Sequence, residues 1–270
     1  MKILLTGLPK SGKSTMLANL IADVRPKHGL TSPEVRERGE RTGFDLCDEA
    51  GNIAPLSRVG TVTNYPVGRY YVDLKSLESF IEQLFNYHSD DLLFIDEIGQ
   101  MQLYSERFKH LVRDYIEAQN DFIGTISQVY DHPFINDLKQ NQDILLCVVT
   151  PENREHLQAA LVEALRHREM FNLLSAAKQH VAFNLARDYL ANDQYISLRK
   201  LFKNAVPYVV RSKVHSEGDE FTVQGSTGEH HVYINQSNFM CDCDFFNGRG
   251  QFVGMAGECS HIQSVNLFLS

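Results

Sequence analysis

The first two-thirds of the sequence predict an α/β fold of three layers, with a mainly parallel sheet between helices. Three observations carry that reading. The apolar run Lys2-Ile-Leu-Leu-Thr6 leads through Gly7-Leu-Pro-Lys-Ser-Gly-Lys-Ser14 directly into an amphipathic stretch over 14–23. Apolar runs of strand length recur at 92–95, 122–126 and 144–149, with helix-spaced segments between them. Strand, crossover helix and strand again place parallel strands in a sheet covered on both faces. Beyond this region a helical connector and a small ββα-type metal-binding domain are expected, with boundaries at 1–168, 169–206 and 207–270.

The first loop carries the chemistry. Gly7, four residues, then Gly12, Lys13 and Ser14 is the spacing at which backbone N–H groups wrap a triphosphate. Gly7, Leu8, Pro9, Lys10, Ser11, Gly12, Lys13, Ser14 and Thr15 are therefore the expected nucleotide-binding residues. Lys13 supplies charge to the β- and γ-phosphates, and Ser14 offers a hydroxyl to Mg²⁺. The helix that follows turns its positive end toward the anion. The strand at 92–95 ends in Asp96-Glu97, which puts carboxylates at the edge of the sheet where the loop sits. Asp96 is the expected Mg²⁺ partner through water, and Glu97 the residue that orients or activates the attacking water.

Between the first helix and residue 72 the chain is rich in turn residues and arginine and reads as a β-hairpin insertion lying over the nucleotide. Its arginines are placed to supply charge to a transferring phosphate. Asp73 then caps a helix with Leu77, Phe80, Ile81, Leu84 and Phe85 on one face, and Ser105 caps another with Phe108, Leu111, Val112, Tyr115 and Ile116. Thr150-Pro151 is expected to open the next. Cys147, inside an apolar strand, reads as core. In the connector, Phe171, Leu174, Val181, Leu185 and Tyr189 form one apolar stripe, Leu198, Leu201, Phe202 and Ala205 a second, and Pro207 is expected to end that helix.

The chain has 270 residues, 43% of them hydrophobic, and a net charge of −8. No apolar stretch reaches the ~20 residues of a membrane helix. The first strand and loop consume the N-terminus, where a cleaved leader would destroy the site, so a cytoplasmic location is expected. Five cysteines, an odd number, point to a reducing compartment and metal binding. Residues 1–170 hold 18 basic against 25 acidic side chains, and 171–270 hold 8 against 9. Neither half is the basic body that binds nucleic acid by bulk electrostatics. Arg199, Lys200, Lys203, Arg211 and Lys213 form a local cluster whose default reading is a solvated face.

The ordered blocks Gly7–Thr15, Thr31-Ser-Pro-Glu-Val-Arg36 with Gly39, Arg41, Gly43 and Phe44, Gly68-Arg-Tyr-Tyr-Val-Asp73, Ile95-Asp-Glu-Ile-Gly99 and Asn153-Arg154 are similar to the thermophile-type nucleoside-triphosphatase family. That family is also known through a human cancer-related NTPase. The resemblance covers the first ~170 residues. It implies the P-loop NTPase fold and Mg²⁺-dependent hydrolysis of NTPs to NDP and phosphate. It places Arg36 and Arg41 near the phosphates and Asn153 and Arg154 near the base. Two positions depart from the family pattern: Gln100-Met101-Gln102 stands where Lys-Met-Glu is common, and Lys10 where glycine is usual.

Near the C-terminus, Cys241-Asp-Cys243 is followed by Cys259-Ser-His261. Three thiolates and an imidazole complete a tetrahedral Zn²⁺ shell with no open position, the donor set of a structural site. The glycine-rich Asn247-Gly-Arg-Gly250 supplies slack for the loop between the pairs. Strand-like 220–224 and 231–234 precede the pairs, and a helix over 262–269 follows. Strand alternation points His230 and His231 to opposite faces, so neither is an expected ligand. This pattern resembles the SWIM-type zinc finger, which implies a DNA or protein partner. The whole reads as an NTPase carrying a zinc-binding recognition module. The alternatives are a nucleotide-switched DNA- or protein-binding regulator with incidental hydrolysis, and a nucleoside or nucleotide kinase, although no acceptor motif is evident.

Overall fold

A computed structural model describes residues 1–235, 238–243 and 259–270. The expected slack loop Asn247-Gly-Arg-Gly250 lies outside the described residues. The chain forms two compact units, Met1–Pro151 and Glu152–Ser270.

The first unit is built on one sheet. Its parallel part comprises β1 (Lys2–Thr6), β2 (Lys27–Thr31), β8 (Leu92–Ile98), β9 (Phe122–Ile126) and β10 (Leu145–Val148), in the order β10-β1-β9-β8-β2. Ile3, Leu4, Leu5, Leu93, Ile95 and Ile123 are fully buried, as expected of strands covered on both faces. The arginine-rich insertion continues this sheet as antiparallel strands: β3 (Glu34–Glu37), β4 (Glu40–Asp48), β5 (Ile53–Val59), β6 (Pro66–Val67) and β7 (Tyr70–Val72). It joins through β4, which pairs with β2 and then β3 along one edge and with β5 along the other. The insertion is thus a sheet extension rather than a detached flap, because β2 leaves an edge whose N–H and C=O groups need partners.

Helices cover the sheet where the sequence placed caps. Asp73 accepts from Ser76 N at 3.0 Å ahead of α2 (Leu74–Ile81), and Ser105 accepts from Phe108 N at 3.1 Å ahead of α3 (Glu106–Glu117). Each satisfies an N–H group that the helix itself leaves open, worth about 1 kcal/mol. Between β1 and β2 runs α1 (Lys13–Ile21), and α4 (Pro133–Gln140) follows β9.

The first helix of the second unit is α5 (Arg154–Arg166), with Asn153 at its N-cap position but giving no side-chain cap hydrogen bond. The expected start at Thr150-Pro151 falls short by one turn: those residues lead into a turn and the helix opens after it. α5 packs on α8 (Tyr195–Lys200) and on the π-helical turn Leu201–Ala205. Between them lie α6 (Arg168–Asn172) and α7 (Ala176–Ala191), and α9 (Val206–Val210) follows. Pro207 does not end a helix. It sits in the first turn of α9, a position that tolerates its missing N–H. An antiparallel meander then forms from β11 (Val214–Glu217), β12 (Glu220–Gln224), β13 (Glu229–Asn235) and β14 (Asn238–Cys241), and α10 (Ser260–Leu269) closes the chain. Val214, Phe221, Val223, Val232, Ile262 and Val265 form its core together with the three cysteines.

Candidate functional site

At the C-terminal ends of β1 and β8 lies a cleft of about 620 Å³. Gly7, Gly12, Lys13, Ser14, Asp96 and Glu97 line it, with Glu34, Arg41 and Phe44 from the insertion and Ser127 to Tyr130 from the loop after β9. Two glycines make the loop. A Cβ on Gly7 would fall 2.4 Å from Val149 O, and Gly12 has φ 101° where it caps α1. Neither place accepts a side chain without strain. Lys10 stands at φ 69°, the left-handed region. Lys13 is nearly buried and donates through Nζ to Gly7 O at 3.0 Å and Leu8 O at 3.2 Å, drawing the loop over its own ammonium.

Asp96 is the pivot. Its Oδ1 accepts from Ser14 Oγ at 3.0 Å and from Thr125 Oγ1 at 2.6 Å. The hydroxyl and the carboxylate expected to share a cation therefore meet directly. Burial pushes the Asp96 carboxyl above its ordinary value, against the pull of Thr125, Ser14 and Lys13. Burial also raises Glu97, with Lys13 opposing and Asp96 adding to the rise. Oxygen donors of this kind suit Mg²⁺. Among the described residues the Ser11 hydroxyl is buried inside the loop without a protein partner, as fits a polar cradle for an oxyanion.

The two arginines part company. Arg41 lines the cleft, donating to Glu34 Oε1 at 2.7 Å and to Tyr70 Oη at 2.8 Å, with its guanidinium 5.1 Å from the Phe44 ring centre. Arg36 is not among the lining residues; it donates to Glu34 Oε2 and to Gly39 O. Their hydrogen bonds, Arg41 first, hold the Glu34 carboxyl below the usual range. Asn153 and Arg154 belong to the second unit, where Asn153 Nδ2 donates to Tyr195 Oη at 2.9 Å and Arg154 opens α5. Sequence reasoning gave no role to Thr125 or Glu34. Glu34 stands inside the block 31–36, so its position was visible, whereas Thr125 reaches Asp96 only through the parallel pairing of β8 with β9.

A second cluster lies in the second unit. One ligand atom from each of Cys241, Cys243, Cys259 and His261 falls within 4.8 Å of the others, and all four residues are buried. Cys241 Sγ and His261 Nδ1 are 3.6 Å apart. Thiols crowded this closely share protons unequally: donation to Cys259 and burial hold Cys241 up, while donation from Cys241 draws Cys259 down. Three sulfurs and one nitrogen converging on one point fit Zn²⁺. His230 stacks on His261 with ring centres 4.1 Å apart, and His231 is exposed.

Comparison with known proteins places this geometry. A family model described as NTPase matches residues 2–162. Nucleoside-triphosphatase THEP1 of Thermotoga sp. (strain RQ2) is 34% identical over 62% of this chain and 96% of its own. The human cancer-related nucleoside-triphosphatase is 32% identical over 61% and 96%. The crystal structure of THEP1 from Aquifex aeolicus superposes with a TM-score of 0.56 at 28% identity, covering 61% of this chain and 99% of that one. No helix among the described residues is long and apolar enough to cross a membrane. With its phosphate loop, its strand-end carboxylates and a family match over more than half its length, the chain belongs to the NTPase family.

Proposed function

We propose that this protein is an Mg²⁺-dependent nucleoside triphosphatase, hydrolysing NTP to NDP and phosphate, with a zinc-binding recognition module appended. The observation that carries the reading is the meeting of Ser14 and Asp96 at 3.0 Å beside Lys13 and Glu97 in one cleft. The names of the relatives support the reaction. Ser14 and Asp96 would hold Mg²⁺, which when bound neutralises phosphate charge. Lys13 binds the β/γ-phosphates, and the loop backbone orients them for in-line attack. Glu97, next to the metal partner and raised by burial, accepts a hydrogen bond from the attacking water and directs it. Arg41 meets charge at the cleft from the insertion side. Arg36 steadies the insertion through Glu34.

In this reading residues 207–270 form the zinc module, with Cys241, Cys243, Cys259 and His261 as ligands, and 169–206 form its connector. The module is similar to a SWIM-type finger and would bind DNA or protein. The buried four-donor cluster favours a second reading, a nucleotide-switched regulator whose turnover is incidental. Phosphate release measured with Mg²⁺ and a panel of NTPs, with and without nucleic acid, tests both. Robust release without a partner supports the free-standing enzyme. Release only with nucleic acid present supports the regulator, and none under either condition refutes both.

A further inference from the structure

Glu163 on α5 is only 2% exposed. Four basic side chains close on its carboxylate. Arg166 Nη1 and His167 Nε2 lie 3.3 Å and 3.7 Å from Oε2, and Arg199 Nη2 and Lys203 Nζ lie 3.2 Å and 3.9 Å from Oε1. Two guanidinium groups and an ammonium thus surround one carboxylate, three cations to one anion. Compensating a buried carboxylate takes a well-placed partner, not three. The surplus faces outward: the three side chains keep 62%, 48% and 49% of their exposure. Each arginine gives Glu163 a single Nη and leaves the rest of its fork open, the shape that grips a phosphate in two places.

The surroundings agree. Positions 194–216 hold five Lys or Arg and no Asp or Glu. His167 is lowered first by burial and then by Arg166, Arg211 and Lys203, against the pull of Glu163, so Arg211 adds to the same field. Lys203 stands on the π-helical turn, an irregularity often found at functional positions. Among the described residues, Ile196 is the one exposed large hydrophobic side chain of α8, and none is exposed from 197 to 232. A protein partner would look for apolar anchors at the centre of its contact, whereas a polyanion needs only charge. These residues all lie beyond 162, where the family match ends.

We propose that Arg166, Arg199 and Lys203, gathered around the buried Glu163, form a docking surface for the phosphate backbone of a nucleic acid. The surface goes beyond the zinc module, since it uses none of the Cys/His cluster. The test measures anisotropy of labelled single-stranded DNA, single-stranded RNA and duplex DNA with the full chain, over a salt series. Two variants accompany it. One is Lys203→Ala alone. The other is Arg166→Gln, Arg199→Gln and Lys203→Gln combined with Glu163→Gln, so that no buried charge is left alone. At least one probe is expected to bind, with a salt slope that falls by about 1 in the single variant and by about 2–3 in the combined one, at roughly 0.7–0.9 per phosphate contact. NTP hydrolysis, zinc content and melting should stay as in the parent chain. No binding to any probe overturns the proposal. So does binding with unchanged slope in both variants, or patch-dependent binding of polyglutamate without nucleic acid. Loss of probe binding in Cys259→Ser, with the patch variants indistinguishable from the parent, would place the contact on the finger instead and overturn it too.

Discussion

Replacing Thr125 by valine removes a hydroxyl and keeps the shape. Thr125 is fully buried, and its Oγ1 is 2.6 Å from Asp96 Oδ1, the shorter of the two hydrogen bonds on that oxygen. Burial already disfavours the Asp96 carboxylate, and Thr125 is the strongest of the groups that pull it back. A hydrogen bond to a charged group contributes about 1.5–3 kcal/mol. At about 1.4 kcal/mol per factor of ten, its loss weakens the charged form by roughly 10–150-fold. The charged form is the one a cation takes, so the effect should appear as a higher half-saturating Mg²⁺ concentration. Turnover at saturating Mg²⁺ should recover most of its parent value. Phosphate release titrated with Mg²⁺ at fixed NTP reads this directly, and Thr125→Ser, which keeps the hydroxyl, should stay near the parent. A folded Thr125→Val protein whose Mg²⁺ titration superimposes on the parent's would refute the reasoning.

Glu97→Gln should bind Mg²⁺-nucleotide nearly normally and turn over slowly, whereas Asp96→Asn should shift the Mg²⁺ titration itself; unchanged rates and titrations in both would end this division of labour. Cys241, Cys243, Cys259 and His261 should bind one zinc per chain, and chelation or Cys259→Ser should loosen residues after about 207 while NTP hydrolysis survives. Zinc-free protein with that region fully protected in hydrogen exchange would mean the four residues are ordinary core. The Tyr87 hydroxyl, raised to about 12 by burial and by donation to Asp114 at 2.8 Å, keeps a proton that an unfolded tyrosine loses near its ordinary 10.0. Its contribution to stability is therefore complete below pH 10 and is lost as pH rises toward 12. Melting temperatures measured across that window should fall less steeply for Tyr87→Phe than for the parent, and identical slopes would contradict the assignment.

Local rules carried much of the fold. Asp73 and Ser105 cap their helices as their chemistry dictates, and the apolar run ending in Asp96 becomes β8 beside the phosphate loop. What the sequence concealed depended on tertiary pairing. Thr125 meets Asp96 because two strands run parallel, and Glu34 gathers Arg36 and Arg41 because β3 folds back on β4. Short helix α4 carries only Phe134, Ile135 and Leu138 as its buried face, too few to announce a period. In α7 the buried stripe is Ala182, Phe183, Ala186 and Tyr189, rotated by about a residue from the larger Val181 and Leu185. Alanine scores weakly as hydrophobic but packs closely, so size misled the periodicity. The gathering of Cys241, Cys243, Cys259 and His261 was legible from their paired spacing alone.

The most direct test of the nucleotide site is Lys13→Ala. Lys13 draws the loop closed through Gly7 O and Leu8 O, and in the proposed reading the same ammonium meets the β/γ-phosphates. Removing it should lower Mg²⁺-dependent phosphate release by about a hundredfold or more, with circular dichroism and melting showing the fold retained. Phosphate release at the parent rate from pure, folded Lys13→Ala protein would contradict the assignment of this cleft as the site of hydrolysis.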